Sequence, residues 1–272
     1  MNKGEEVFYT TLFFIAVFLG SALIVYFLKT FSSLREIHEA YLVPYWLLII
    51  YLFIKIRGIN FRDYGFTLTR VSTNLTIYSL TLGLGLVILA LTLGLACGIY
   101  NITYLSRICL ECTIFHFSLI AIASFGEEAV FRGYVLNSLV KAVGRVPSVI
   151  TTSLLFAILH VSNPGYSIFS FIQLMLGGIL LSIMMIYGKT IVYPTLYHTF
   201  WNFSQALLGF PVSGHRYFSS IFIVKYKVSN SIFTGGAFGL EGSILGVFVT
   251  AIGLITTYFI FAKADHTKWH AT

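Results

Sequence analysis

Three ionisable side chains, Glu127, Glu128 and Arg132, stand inside an otherwise apolar segment running from about Thr113 to Val140, in the stretch Ser-Phe-Gly-Glu-Glu-Ala-Val-Phe-Arg-Gly at 124–133. Inserting an Asp, Lys or Arg at the centre of a membrane-spanning helix costs roughly 2.5 to 3.5 kcal/mol on a translocon scale, so such residues face a bundle interior or a wet cavity. On a helix, Glu128 and Arg132 lie at i and i+4 with the acid first, the favourable order for an ion pair. Glu127 projects about 100° round the axis. That leaves one carboxylate uncommitted and able to act as a base.

Three further polar residues, His160, His198 and Asn202, are embedded in later apolar segments. Counted at about 1.5 Å per residue from one membrane face, Glu127 lies roughly 20 Å deep, His160 and Asn202 roughly 18 Å, and His198 roughly 12 Å. His198 and Asn202 are i and i+4 and share a helix face, and Phe156 stands i−4 to His160. A carboxylate, two imidazoles and an amide at one depth supply a base, a water-orienting group and donors for a developing oxyanion. Taken singly, each has a structural reading. An intramembrane His or Asn can serve as a helix–helix hydrogen bond, and Glu128 with Arg132 can serve as mutual neutralisation.

These residues need long apolar helices to hold them. Of the 272 residues, 57% are hydrophobic and 10% charged, the balance of an all-α, polytopic membrane helix bundle with a polar cavity. We assign eight spans, about Val7–Leu28, Tyr41–Ile54, Leu75–Ile99, Thr113–Val140, Ser148–Val161, Ser167–Tyr187, Ile191–Leu208 and Leu240–Ala262, in one integral-membrane domain over 1–272 with its catalytic core at about 113–208. The second and fifth are short for a full crossing. The first is too long for the core of a signal peptide and is preceded by Glu5 and Glu6. Arg57–Asn74 reads as an interfacial amphipathic stretch, and the polar segment Gly209–Gly239 as a loop able to cap one mouth of the bundle.

The net charge of +7 is scattered over short connections, which suits anionic headgroups and excludes a nucleic-acid surface. Lys3, Lys55, Arg57, Arg62, Arg70, Lys141, Arg145, Lys189, Lys263 and Lys268 fall on one side of the bundle. Lys29, Arg35, Arg107, Arg216, Lys225 and Lys227 fall on the other. The bias puts the first side, with both termini, in the cytoplasm. Cys109 and Cys112 form a lone C-x-x-C without the second pair or His cluster of a zinc site, so we read them as cysteines near an interface.

At these positions the sequence resembles the CPBP family of intramembrane proteases, named for CAAX processing and bacteriocin processing, and within it the Ras-converting type II CAAX endopeptidase branch with its archaeal relatives. The family's E-E-x-x-x-R stands as Glu127 to Arg132, its F-x-x-x-H as Phe156 to His160, and its H-x-x-x-N as His198 to Asn202, in the family's order. The resemblance implies a glutamate-dependent endopeptidase. Glu127 with His160 would activate a water, His198 and Asn202 would stabilise the oxyanion, and Glu128 and Arg132 would hold Glu127. It also implies a prenylated protein or peptide with a C-terminal CAAX box as partner, losing its last three residues, in a multi-pass protein of the cell membrane or endoplasmic reticulum. Two other readings stay open, a same-fold peptidase for peptide maturation or bacteriocin immunity, and a transporter or scaffold, against which no internal repeat is found. We expect no cofactor. A zinc ion on Glu127, His160, His198 and Asn202 is the second choice, since the H-E-x-x-H pattern is absent and an Asn amide is a poor zinc ligand.

Overall fold

The computed structural model describes residues 2–31, 38–104, 109–217 and 220–267. It is 76% helical. Helix α1 (Lys3–Phe31) is followed by a 3₁₀ turn at Glu39–Leu42 that runs into α2 (Val43–Ile56), then by α3 (Thr73–Ala96) and strand β1 (Tyr100–Tyr104). Helix α4 (Leu110–Glu128) continues through a π-helical segment, Ala129–Leu136, into α5 (Asn137–Val143). Next come α6 (Arg145–Leu159), α7 (Ile168–Gly188), α8 (Val192–Leu208), strand β2 (Phe222–Tyr226), the single turn α9 (Ser231–Thr234) and α10 (Ile244–Thr267).

All eight expected spans are helical, but six of the helical segments are long and apolar enough to cross a membrane. The remaining two are α6, with 15 residues, and α8, with 17. At 1.5 Å per residue these reach only about 22 to 26 Å. Helix α6 stops where His160 and the Asn163-Pro164-Gly165 turn begin, and α8 carries His198, Asn202, Ser204 and Gln205 in place of aliphatic residues.

Helix α7 is the centre of the bundle, half of its apolar window buried against 17% for the peripheral α1. It packs on α6 and α10, while α8 lies between α3 and α4. One core joins α1, α2, the π segment and α6 through Phe13, Trp46, Ile54, Tyr134 and Phe156. A second joins α3, α7, α8 and α10 through Leu86, Leu180, Tyr197, Trp201 and Phe261. Helices α2 and α4 touch at Gly126, where a Cβ would overlap Val43 and Trp46.

Three local features depart from the sequence reading. The stretch after α2 is not merely laid on the surface. Tyr64 is fully buried and bonds Ser138 at 3.0 Å, while Tyr193 donates to the Arg70 carbonyl at 3.0 Å and Thr190 to that of Thr67 at 2.7 Å. The loop after α8 contains β2, which pairs antiparallel with β1, Ile102 facing Val224. Cys109 and Cys112 are joined in a disulfide at the first turn of α4, and Cys97 is a free, exposed thiol.

Because Gly126 adjoins Glu127, a side chain there separates α2 from α4 at the site. Gly126→Val is expected to cost about 1 to 3 kcal/mol by overpacking, read as a lower unfolding temperature of the purified protein in detergent. An unchanged temperature would show that the two helices can part at this point.

Candidate active site

Every site residue expected from the sequence converges. Glu127 from α4, His160 from the end of α6, and His198 and Asn202 from α8 line one cavity of about 570 Å³, with Phe156 beside them. Glu128 and Arg132 lie behind it, both fully buried. Arg132 Nη1 donates to Glu128 Oε1 at 3.0 Å, and Nη2 to the Gly178 carbonyl of α7 at 3.3 Å. The guanidinium also lies 4.7 Å from the Phe156 ring centroid, a cation–π contact with α6.

The same Glu128 oxygen accepts a 2.9 Å hydrogen bond from His198 Nδ1. An ionised carboxylate only accepts, so Nδ1 carries the proton and Nε2 is turned to the cavity, 3.8 Å from Glu127 Oε2. His160 is set by the same logic. Its Nδ1 is 2.7 Å from the Phe156 carbonyl, which can only accept, so neutral His160 presents a bare Nε2. The two imidazoles therefore differ. His160 can accept from a water through Nε2, while His198 is held through Nδ1 by the Glu128 carboxylate. Asn202 makes no side-chain hydrogen bond among the described residues, and neither does Glu127 Oε2. Glu128 is thus a brace for His198 as well as for Arg132, a role that the linear motif does not reveal.

Two carboxyls escaped the sequence reading. Glu39, at the start of the turn before α2, lines the same cavity as Glu127. Glu241, before α10, is buried. Its Oε1 accepts from Trp201 Nε1 at 2.7 Å and Gln205 Nε2 at 3.2 Å, and its Oε2 from the Ser213 amide at 2.9 Å and hydroxyl at 2.7 Å. It fastens the loop after α8 to α8 itself, so that Val212, Ser213, His215, Arg216 and Tyr217 form part of the cavity wall. At the mouth, His38 Nδ1 accepts from the Ala40 amide, so its Nε2 donates to Tyr217 Oη at 3.0 Å. Burial lowers the His38 imidazole below its ordinary value and raises the Tyr217 phenol, which keeps this pair neutral.

Among the described residues, no three His, Cys, Asp or Glu side chains are grouped closely enough to hold a metal ion. Residues 109–204 match the family model described as type II CAAX prenyl endopeptidase Rce1-like. This segment is an Rce1-like domain. The match contains all three motifs and supports membership of a CAAX-type intramembrane protease family. Glu39 and Glu241 fall outside the Rce1-like segment. No curated protein matches the chain.

Removing Glu128 would leave Arg132 buried without its counter-ion, and breaking such a pair typically costs about 3 to 5 kcal/mol. Glu128→Ala is therefore expected to unfold far more easily than Glu127→Ala, whose carboxylate braces no cation. Denaturant titration of the purified variants compares them. Equal stability would mean that Glu128 is not the anchor of this network.

Proposed function

We propose that the protein is a glutamate-dependent intramembrane endopeptidase that removes the C-terminal tripeptide from prenylated CAAX substrates. The observation that carries this reading is the meeting of Glu127, His160, His198 and Asn202 from three helices in one cavity, with both imidazoles fixed by a hydrogen bond through Nδ1. The Glu127 carboxylate takes a proton from a water that also hydrogen-bonds the bare Nε2 of His160. The hydroxide so formed attacks the scissile carbonyl. His198, when it carries a proton on Nε2, and the Asn202 amide donate to the oxyanion. Collapse of the tetrahedral intermediate expels the amine, which recovers the proton from Glu127.

The volume agrees with a peptide in extended form. A cavity of about 570 Å³ takes a few residues and excludes a folded domain. Exposed aliphatic faces around the bundle would let an isoprenoid stay in lipid while the peptide enters. The matched family, a CAAX prenyl endopeptidase, supports the prenylated C-terminus as substrate.

Cleavage of a farnesylated CAAX peptide by the purified protein tests both parts. Glu127→Ala and His160→Ala are expected to lose about 10²- to 10⁴-fold in kcat, the usual range for a general acid–base group, and Asn202→Ala about 10²- to 10³-fold, as for an oxyanion donor. A strong chelator is expected to leave the rate unchanged. Undiminished cleavage by Glu127→Ala would sink the mechanism, loss of activity to the chelator would replace the unaided water with a metal-bound one, and equal cleavage of the unprenylated peptide would remove the isoprenoid from recognition.

A further inference from the structure

Helix α7 carries two successive glycines, Gly177 and Gly178, in its interior. Glycine inside a helix is less stable than alanine, so each needs a reason to be there. Gly178 has one, because a Cβ would stand 2.8 Å from Ser153 of α6. Small residues serve such close approach between spanning helices. Gly177 has no such neighbour. A Cβ there would meet nothing within 4 Å, and the residue lines the cavity. What its missing side chain preserves is space inside the site.

The walls of that space are apolar. Leu174 stands three residues before Gly177 and Leu181 four after it, so both share its face of α7, and both line the cavity. Tyr197 and Trp201 of α8 line it too, their rings stacked at 22° with centroids 6.2 Å apart. Trp201 Nε1 is engaged by Glu241 at 2.7 Å, so the indole offers ring carbon. All four side chains are buried. Tyr197 and Trp201 each precede a site residue, His198 and Asn202, by one position, which sets this apolar corner beside the proposed oxyanion donors.

We infer that Gly177 determines substrate specificity. Its missing Cβ opens a pocket, walled by Leu174, Leu181, Tyr197 and Trp201, for one branched aliphatic side chain of the peptide tail, and it sets the largest side chain that enters. The identity of this occupant rests on the peptidase reading. Such walls gain from every methylene they bury, whereas a charged or amide side chain would give up its water there without replacement.

Farnesylated CAAX peptides carrying Ala, Val or Leu at each of the two positions after the cysteine read the pocket. At one of these positions the wild type is expected to favour Leu over Ala by about tenfold or more in kcat/KM, the usual worth of added methylenes in an apolar pocket. Gly177→Val is expected to lose about tenfold or more on the Leu peptide while its rate on the Ala peptide stays within about threefold. No preference in the wild type, an unchanged preference in the variant, or parallel loss on every peptide overturns the inference and leaves the peptidase reading standing. Stability separates room from packing. Gly177→Ala is expected to unfold about 1 to 4 °C higher in detergent, and a lower temperature would assign the glycine to packing and overturn the inference. Binding of the same peptides, fluorescently labelled, to Glu127→Ala with and without Gly177→Val needs no turnover. If the wild type cleaves nothing while binding still shifts from Leu to Ala, the peptidase reading fails and the pocket stands. Binding indifferent to the side chain, or no binding, overturns the pocket.

Discussion

The bundle depends on one buried cation. Arg132 has no exposure to solvent, and its guanidinium is neutralised by Glu128 on its own helix, bonded to the Gly178 carbonyl of α7 and stacked on Phe156 of α6. Glu128 then reaches α8 through His198. Four helices are thereby held by a single ion and its counter-ion. Such a pair adds little net stability relative to apolar packing, because desolvation consumes the Coulomb gain, but any arrangement that parts it is severely penalised. What it supplies is therefore uniqueness of register. Gly178 is small for the same reason. A Cβ there would come within 2.8 Å of Ser153, pushing α7 off α6 and its carbonyl away from the guanidinium.

The π segment is the second constraint. All eight residues from Ala129 to Leu136 are buried, and Asn137 Nδ2 closes its end by donating to the Arg132 and Gly133 carbonyls at 2.9 Å each. A local i→i+5 turn is weaker than an α-helical one and recurs at functional sites. Here it leaves the Glu128–Arg132 pair intact while turning the helix so that Tyr134 packs on Phe13, with ring centroids 3.8 Å apart, and donates nothing to the cavity. The polar face and the apolar face of one continuous helix are thus kept apart.

Much of this was legible in the sequence, for a physical reason. In a membrane, depth is counted along helices, so Glu127, His160, His198 and Asn202 could be placed at one level from spacing alone. The π turn was not legible, because a segment buried on every side has no amphipathic period to betray a change in helical pitch. Glu39 and Glu241 were not legible either. They sit in turns whose placement depends on tertiary contacts, through α4 for Glu39 and through Trp201, Gln205 and Ser213 for Glu241. The β1–β2 pairing escaped for the same cause, as two five-residue strands more than a hundred residues apart carry no local signal of each other.

The shortness of α6 and α8 then becomes part of the chemistry. A hydrocarbon core about 30 Å thick is not spanned by a helix of 15 residues, roughly 22 Å long. The missing turn at the end of α6 lies at the cavity mouth, where His160 caps the helix and the Asn163 amide bonds the Ser213 carbonyl of the covering loop at 3.0 Å. Irregular backbone at this depth is tolerated only where protein or a wet cavity satisfies it. The same deficit that leaves α6 short of a full crossing therefore leaves the cavity, with Glu127 in its wall, beside the end of the helix. The buried ion that fixes the helices and the truncated helix beside the cavity meet at Phe156, which stacks on Arg132 with its ring and holds His160 with its carbonyl.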